Sequence, residues 1–237
     1  MAGALLEVNG VVKRFGGFTA LNQVTLHVKP GERFGLIGPN GSGKTTLINC
    51  VSGSLHADEG RILFDGRDIT TLPAHRRTRL GIARSFQIPK PFTSMSVRDN
   101  LGIPLEYVGH GRPGGAEVDE ILRDIGLHAK AHLRPAGLTQ VEMRKLELAR
   151  AMAARPKLLI SDEAMAGLSH AEVDDILAIL FRLNEQGITI IMIEHIMRAV
   201  MRFSQRIVVL DAGERIAEGT PDEIVRDPAV ERAYLGE

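Results

Sequence analysis

Gly38-Pro39-Asn40-Gly41-Ser42-Gly43-Lys44-Thr45 fits the spacing G-x-x-x-x-G-K-[ST]. Glycines so spaced let backbone N–H groups converge on phosphate oxygens. Lys44 brings a positive charge to the β- and γ-phosphates, and Thr45 a hydroxyl for Mg²⁺. Residues 33–37, before the loop, read as an apolar strand, and residues 45–52, after it, as a helix ending near Gly53. The helix turns its positive end toward the phosphates. Strand, glycine loop and helix together predict a nucleotide site on an α/β frame.

Toward the amino terminus, strands are expected over residues 5–14 and 21–28, with a Gly16-Gly17 break and a Pro30-Gly31 turn. Residues 61–64 add a short strand turned by Asp65-Gly66. The texture changes between Pro89 and Pro135, a window holding five of the 11 prolines. Helical patches are expected there over residues 97–107 and 117–125, with an exposed turn at Arg112-Pro113-Gly114-Gly115. A further helix is expected over residues 142–154. After Pro156 the pattern alternates: strand 158–161, helix 171–183, strand 188–193, helix 195–203, strand 207–210. Such alternation implies a parallel sheet with helices on its faces.

The composition narrows the function classes. In 237 residues, 29 Lys and Arg balance 29 Asp and Glu, which argues against a partner held by bulk charge, whether nucleic acid or anionic membrane. A single cysteine, Cys50, fits a reducing compartment. The start MAGALLEVNG lacks a basic segment and a long apolar stretch, and no run reaches the length of a membrane span. A soluble, cytoplasmic chain is expected.

Asp162-Glu163 closes the apolar strand Leu158-Leu159-Ile160-Ser161. Two acids after a strand ordinarily open a loop. Beside a phosphate loop, a strand-end Asp can hold Mg²⁺ and the adjacent Glu can polarise the attacking water.

With these motifs in order along essentially the whole chain, the sequence resembles the ATPase subunits of ABC transporters. The resemblance implies an α/β fold: a P-loop core with a mostly parallel sheet, an antiparallel β layer and a helical subdomain. The core falls on residues 1–88 and 155–237 and the helical subdomain on 89–154. It implies ATP and Mg²⁺ as ligands, bound by Gly38, Asn40, Gly41, Ser42, Gly43, Lys44, Thr45 and Thr46. By resemblance Phe15 stacks on adenine, where the bland alternative is a strand residue facing the core. Gln87, in Ser85-Phe86-Gln87, ligates Mg²⁺ with Thr45 and Asp162 and senses the membrane subunits. Glu163 and His195 become the catalytic pair, and Ala166-Gly167-Leu168-Ser169 the loop that crosses to a partner, with Ser169 where Asp is frequent. Lys13-Arg14-Phe15-Gly16-Gly17, Ala83-Arg84-Ser85-Phe86-Gln87, Ile216-Ala217-Glu218-Gly219-Thr220-Pro221 and the closing Ala233-Tyr234-Leu235-Gly236-Glu237 are similar to the importers of branched-chain amino acids.

One motif departs from the family. Its signature, usually Leu-Ser-Gly-Gly-Gln, reads Leu138-Thr139-Gln140-Val141-Glu142 here. Thr139 keeps a hydroxyl for γ-phosphate. Val141 replaces a glycine whose bare backbone approaches the phosphate, and Glu142 brings a like charge near it. The signature acts on nucleotide held by the partner's loop. The expectation is therefore a heterodimer with a second ATPase subunit that carries an intact signature, and a homodimer that hydrolyses poorly. The resemblance further implies two integral membrane permease subunits, a substrate-binding protein acting indirectly, no nucleic acid, and a place on the inner face of the cell membrane. Alternatives are a regulatory nucleotide-binding module with little turnover, or the ATPase of a urea/amide importer or lipopolysaccharide-type exporter.

Overall fold

In the computed structural model, which describes residues 3–86, 88–109 and 115–235, the strands in chain order are β1 (Leu6–Phe15), β2 (Phe18–Val28), β3 (Arg33–Ile37), β4 (Glu59–Phe64), β5 (Arg67–Asp68), β6 (Ile82–Ser85), β7 (Leu158–Asp162), β8 (Thr189–Ile193), β9 (Arg206–Asp211) and β10 (Glu214–Gly219). The helices are α1 (Lys44–Ser52), α2 (Ala74–Leu80), α3 (Val97–Val108), α4 (Gly115–Asp124), α5 (Gln140–Met152), α6 (His170–Glu185), α7 (Met197–Phe203), α8 (Pro221–Val225) and α9 (Pro228–Leu235).

The strands sort into two sheets. One is antiparallel, in the order β2-β1-β4-β5. The other runs β10-β9-β3-β8-β7-β6 and is parallel except for its edge strand β10. The parallel strands are apolar at nearly every position because both faces are covered. Alternate residues therefore feed two cores. Leu159, Ile190, Met192, Ile207 and Val209 join helices α3 to α9 on one side. Ile160, Ile191, Ile193, Val208 and Leu210 face α1 and the antiparallel layer on the other.

The predicted fold class holds. The ends of some elements moved for local reasons. β1 and β2 extend to a tight Gly16-Gly17 turn, pairing Phe15 with Phe18. The helix expected over residues 195–203 begins at Met197, because Ile196 keeps a non-helical backbone; His195 thus stays in the loop after β8. Strands β5, β6 and β10 and helices α2, α8 and α9 are additional to the elements read from the sequence. The exposed turn expected at 112–115 falls, except for Gly115, outside the described residues, as does the terminal Gly236-Glu237.

Helix ends reveal how the site is prepared. α3, α5, α6 and α8 each begin with a capping box, in which Ser96, Thr139, Ser169 and Thr220 are paired with Asp99, Glu142, Glu172 and Glu223. α1 begins with Gly43, has no side-chain cap and carries no acid in its first turn. Its free N–H groups remain available to an anion. Its other end is closed by Arg77, a fully buried side chain that donates to Cys50 O (2.5 Å), Val51 O (2.9 Å), Leu72 O (2.8 Å) and Thr70 O (3.0 Å).

Candidate functional site: a nucleotide cleft at the carboxyl ends of the parallel strands

The phosphate loop follows β3, and only glycine fits its base. Gly38 has φ of +150°, and a Cβ there would lie 2.0 Å from the Leu210 carbonyl oxygen. Gly43, at φ +100°, would place a Cβ 2.7 Å from Ala20 O. Lys44 is buried and folds back on the loop, donating from Nζ to Gly38 O (2.7 Å), Pro39 O (2.9 Å) and Ser42 Oγ (3.3 Å). Burial lowers its pKa, while the charges of Glu163 and Asp162 oppose that shift. A phosphate entering the loop gives this ammonium a better partner than neutral carbonyls.

A cleft of about 290 Å³ opens over the loop, lined by Phe15, Phe18 and Ala20 on one side, residues 40–46 at its floor, and Glu163 with His195 opposite. Phe15 is 48% exposed, so its ring is not a core side chain. The Lys13 ammonium lies 5.6 Å from the Phe15 ring centroid. An exposed ring at the mouth of a phosphate cleft offers a flat surface for a base. Phe18, also exposed, joins it; the strand alternation gave no sign of that second ring.

Two adjacent parallel strands bring the acid and the histidine together. Asp162 pairs in register with Ile193, so the residues just beyond both strand ends emerge side by side. His195 Nε2 lies 3.1 Å from Glu163 Oε1. Glu163 holds φ at +48°, and its N–H donates to Ile193 O at 2.9 Å. Left-handed backbone at a bulky residue is uncommon and concentrates at functional sites. Below them Asp162 is buried and bound to Arg84, whose Nη2 reaches Asp162 Oδ2 at 2.5 Å. Glu194, also buried, accepts the Met165 N–H at 2.9 Å. Burial, reinforced by the charges of Glu163 and Asp162, pushes its carboxyl up to about 7, against the Met165 N–H, which pulls it down.

Sequence reading did not single out Arg84 or Glu194 as site residues. Each sits beside a recognised motif, Arg84 three residues before Gln87 and Glu194 one before His195. Their burial is a property of the sheet, not of the local pattern. Gln87 itself lies outside the described residues.

Residues 139–142 do not line this cleft. Thr139 caps α5, and Glu142 Oε2 accepts the Thr139 N–H (2.9 Å) while the Lys130 ammonium donates to the same carboxylate (2.8 Å). Those bonds hold the Glu142 pKa below the usual carboxylate range, the Lys130 contact contributing most. Val141 is half-buried against the larger core. Glu142 is thus a compensated charge, and Val141 is the bulkier departure. α5 touches the 166–169 loop of its own chain, Arg144 Nη2 donating to Ala166 O at 3.3 Å. Ser169 caps α6 through Glu172, a role Ser and Asp fill equally well.

Thr45 and Asp162 suit a hard cation that takes its remaining ligands from phosphate and water. Among the described residues no group of three or more His, Cys, Asp or Glu could hold a metal unaided.

The family model described as ABC transporter matches residues 21–166. The chain belongs to the ABC transporter family. A second model, branched-chain amino acid ATP-binding cassette transporter, matches residues 214–237 of the cassette. A high-affinity branched-chain amino acid transport ATP-binding protein, BraF of Pseudomonas aeruginosa, is 36% identical, covering 100% of both chains. The probable branched-chain amino acid transport ATP-binding protein LivG of Archaeoglobus fulgidus is 39% identical over 98% of this chain and 95% of its own. The ADP conformation of an ATP-binding cassette of an ABC transporter superposes with TM-score 0.90 at 34% identity, covering 99% of this chain and 100% of that one. A dimeric post-hydrolysis cassette bound to ADP and phosphate gives TM-score 0.82 at 26% identity, covering 91% and 98%. The cassette is a nucleotide-binding ATPase subunit of the kind that dimerises and works with membrane permeases. No helix among its described residues is long and apolar enough to cross a membrane.

Proposed function

We propose that this cassette powers import of branched-chain amino acids, hydrolysing ATP with Glu163 as the group that polarises water and His195 as the γ-phosphate contact. The observation that carries the hydrolytic assignment is the Glu163–His195 pair, 3.1 Å apart at the edge of the phosphate cleft. The cargo rests on the full-length relatives and on the carboxy-terminal match over residues 214–237. In this reading Phe15 stacks on adenine, residues 38–46 hold the phosphates, and Thr45, Asp162 and Gln87 attend Mg²⁺. Residues 1–88 and 155–237 act as the core, and 89–154 as the helical lobe.

The partners follow from two surfaces. Phe86, Phe92, Ile103 and Tyr107 are all exposed and line a groove of about 370 Å³. An apolar patch of this kind suits a permease segment, which would keep the cassette on the inner face of the membrane. At the start of α5, Thr139-Gln140-Val141-Glu142 carries a branched side chain at Val141 where the family has glycine, and its Thr139 and Glu142 N–H groups are engaged in a capping box. That favours a second, different ATPase subunit with an intact signature to complete the productive site.

The test is Mg²⁺-dependent ATP hydrolysis by the purified chain across a range of concentrations, beside Glu163→Gln and with the candidate partner added. Nucleotide binding with little turnover alone and Glu163-dependent turnover with the partner supports the reading. Turnover that rises with concentration of the lone chain refutes the heterodimer, and binding without turnover in the pair identifies a regulatory module.

A further inference from the structure

Arg84 holds three things at once. It lies on β6, the strand that leads into position 87. Its Nη2 and Nε both donate to Asp162 Oδ2, at 2.5 and 3.2 Å, and its Nη1 donates to Asn49 Oδ1 at 2.7 Å. Asn49 belongs to α1, the helix that opens at the phosphate loop. The guanidinium lies 5.3 Å from the centroid of the Phe86 ring, whose exposed side lines the groove. Both side chains of the ion pair are about nine-tenths buried, at 10% and 9% exposure.

We propose that Arg84 is a positioning residue that withholds Asp162 from the divalent cation, and that it ties this carboxylate to the groove wall through Phe86. The inference rests on the reading of Asp162 as the cation's carboxylate. A buried carboxylate already neutralised by a fixed guanidinium attracts a second cation less than an unpaired one does. The cation and Arg84 therefore draw on the same oxygen, and loading requires the guanidinium to yield. Asn49 holds the guanidinium from the nucleotide side and Phe86 from the groove side. A partner seated in the groove acts on Asp162 through one side chain.

The experiment is Mn²⁺ binding to the full chain in the presence of ADP, read from the electron paramagnetic resonance signal of free Mn²⁺, with thermal melts as a check of folding. Arg84→Gln should bind Mn²⁺ at least fivefold more tightly than the unaltered chain. Arg84→Lys keeps a charge but offers one compact donor group in place of the planar fork, so about twofold tightening is expected; it carries the test if Arg84→Gln does not fold. Phe86→Ala, on an exposed side chain, should also tighten binding by about twofold. Unchanged or weaker Mn²⁺ affinity in a folded Arg84 variant overturns the proposal, and an unchanged Phe86→Ala overturns the link to the groove. Asp162→Asn separates the two levels. If it leaves Mn²⁺ affinity intact, the assignment of Asp162 fails; if it weakens binding while the Arg84 variants change nothing, only the role of Arg84 fails.

Discussion

His195 Nε2 meets Glu163 Oε1 at 3.1 Å because β7 and β8 are parallel neighbours and end in register, Asp162 opposite Ile193. The pairing is built by the sheet rather than by either loop. Glu163 is further held in left-handed backbone, a conformation that persists only where the surroundings enforce it. Glu163→Gln keeps the shape of the side chain and its reach to His195 but removes the basic carboxylate. ATP turnover, measured with the competent partner present, should fall by about 100- to 10,000-fold, the usual range for a general base. Binding of a fluorescent nucleotide should persist.

Glu194 predicts a pH dependence of stability that hydrolysis assays would miss. Its folded pKa is raised from 4.5 to about 7, chiefly by burial. The folded chain therefore holds a proton that the unfolded chain releases between about pH 4.5 and 7. Its contribution is fully present below pH 4.5 and is lost as pH rises through 7, amounting to roughly 3 kcal/mol over that window. Glu194→Gln keeps an acceptor for the Met165 N–H and cannot ionise. The variant should be more stable than the unaltered chain at pH 8 by urea denaturation, and the difference should shrink toward pH 5.

Arg77 predicts a structural failure rather than a catalytic one. Its guanidinium is fully buried and donates only to backbone carbonyls, two of them in the last turn of α1. A cation there also complements the negative end of the helix. Arg77→Met would leave those carbonyls buried without donors, at about 1–3 kcal/mol for each one left unpaired. The melting temperature should drop by about 10 °C or more, while nucleotide affinity of the remaining folded fraction stays near normal.

The sequence carried the parallel sheet and the phosphate loop because both are local in pattern. Uninterrupted apolar runs such as residues 188–193 mark strands covered on both faces. The glycine loop announces its own backbone. Glu163 is legible from its place at a strand end beside a phosphate loop, Phe15 and His195 only through resemblance, and the fold gathers all three around one cleft. Arg84 was not legible as a site residue, because its partners Asn49 and Asp162 lie 35 and 78 residues away. Glu142 differs, because its partners Lys130 and Thr139 are only 12 and 3 residues away. As a sequence position it is a bare negative charge, whereas in the fold Lys130 neutralises it and Thr139 gives it a capping role.

The Lys130 pair changes what repair of the signature should do. With Glu142 compensated by Lys130, the larger obstacle at the start of α5 is Val141, whose branched side chain stands where the family has glycine and packs half-buried on the core. Glu142→Gln retains the capping box, since Gln can accept the Thr139 N–H, but gives up the ion pair. Val141→Gly removes the bulk, and lowers stability by roughly 0.3–0.5 kcal/mol through helix propensity, with the lost packing of a half-buried side chain in addition. Val141→Gly should therefore raise turnover of the chain alone more than Glu142→Gln does, and the double variant most. Phosphate release at high protein concentration reads the order directly, with Glu163→Gln in the same background as the blank. Equal turnover in all four proteins would mean that the signature is not what limits the lone chain.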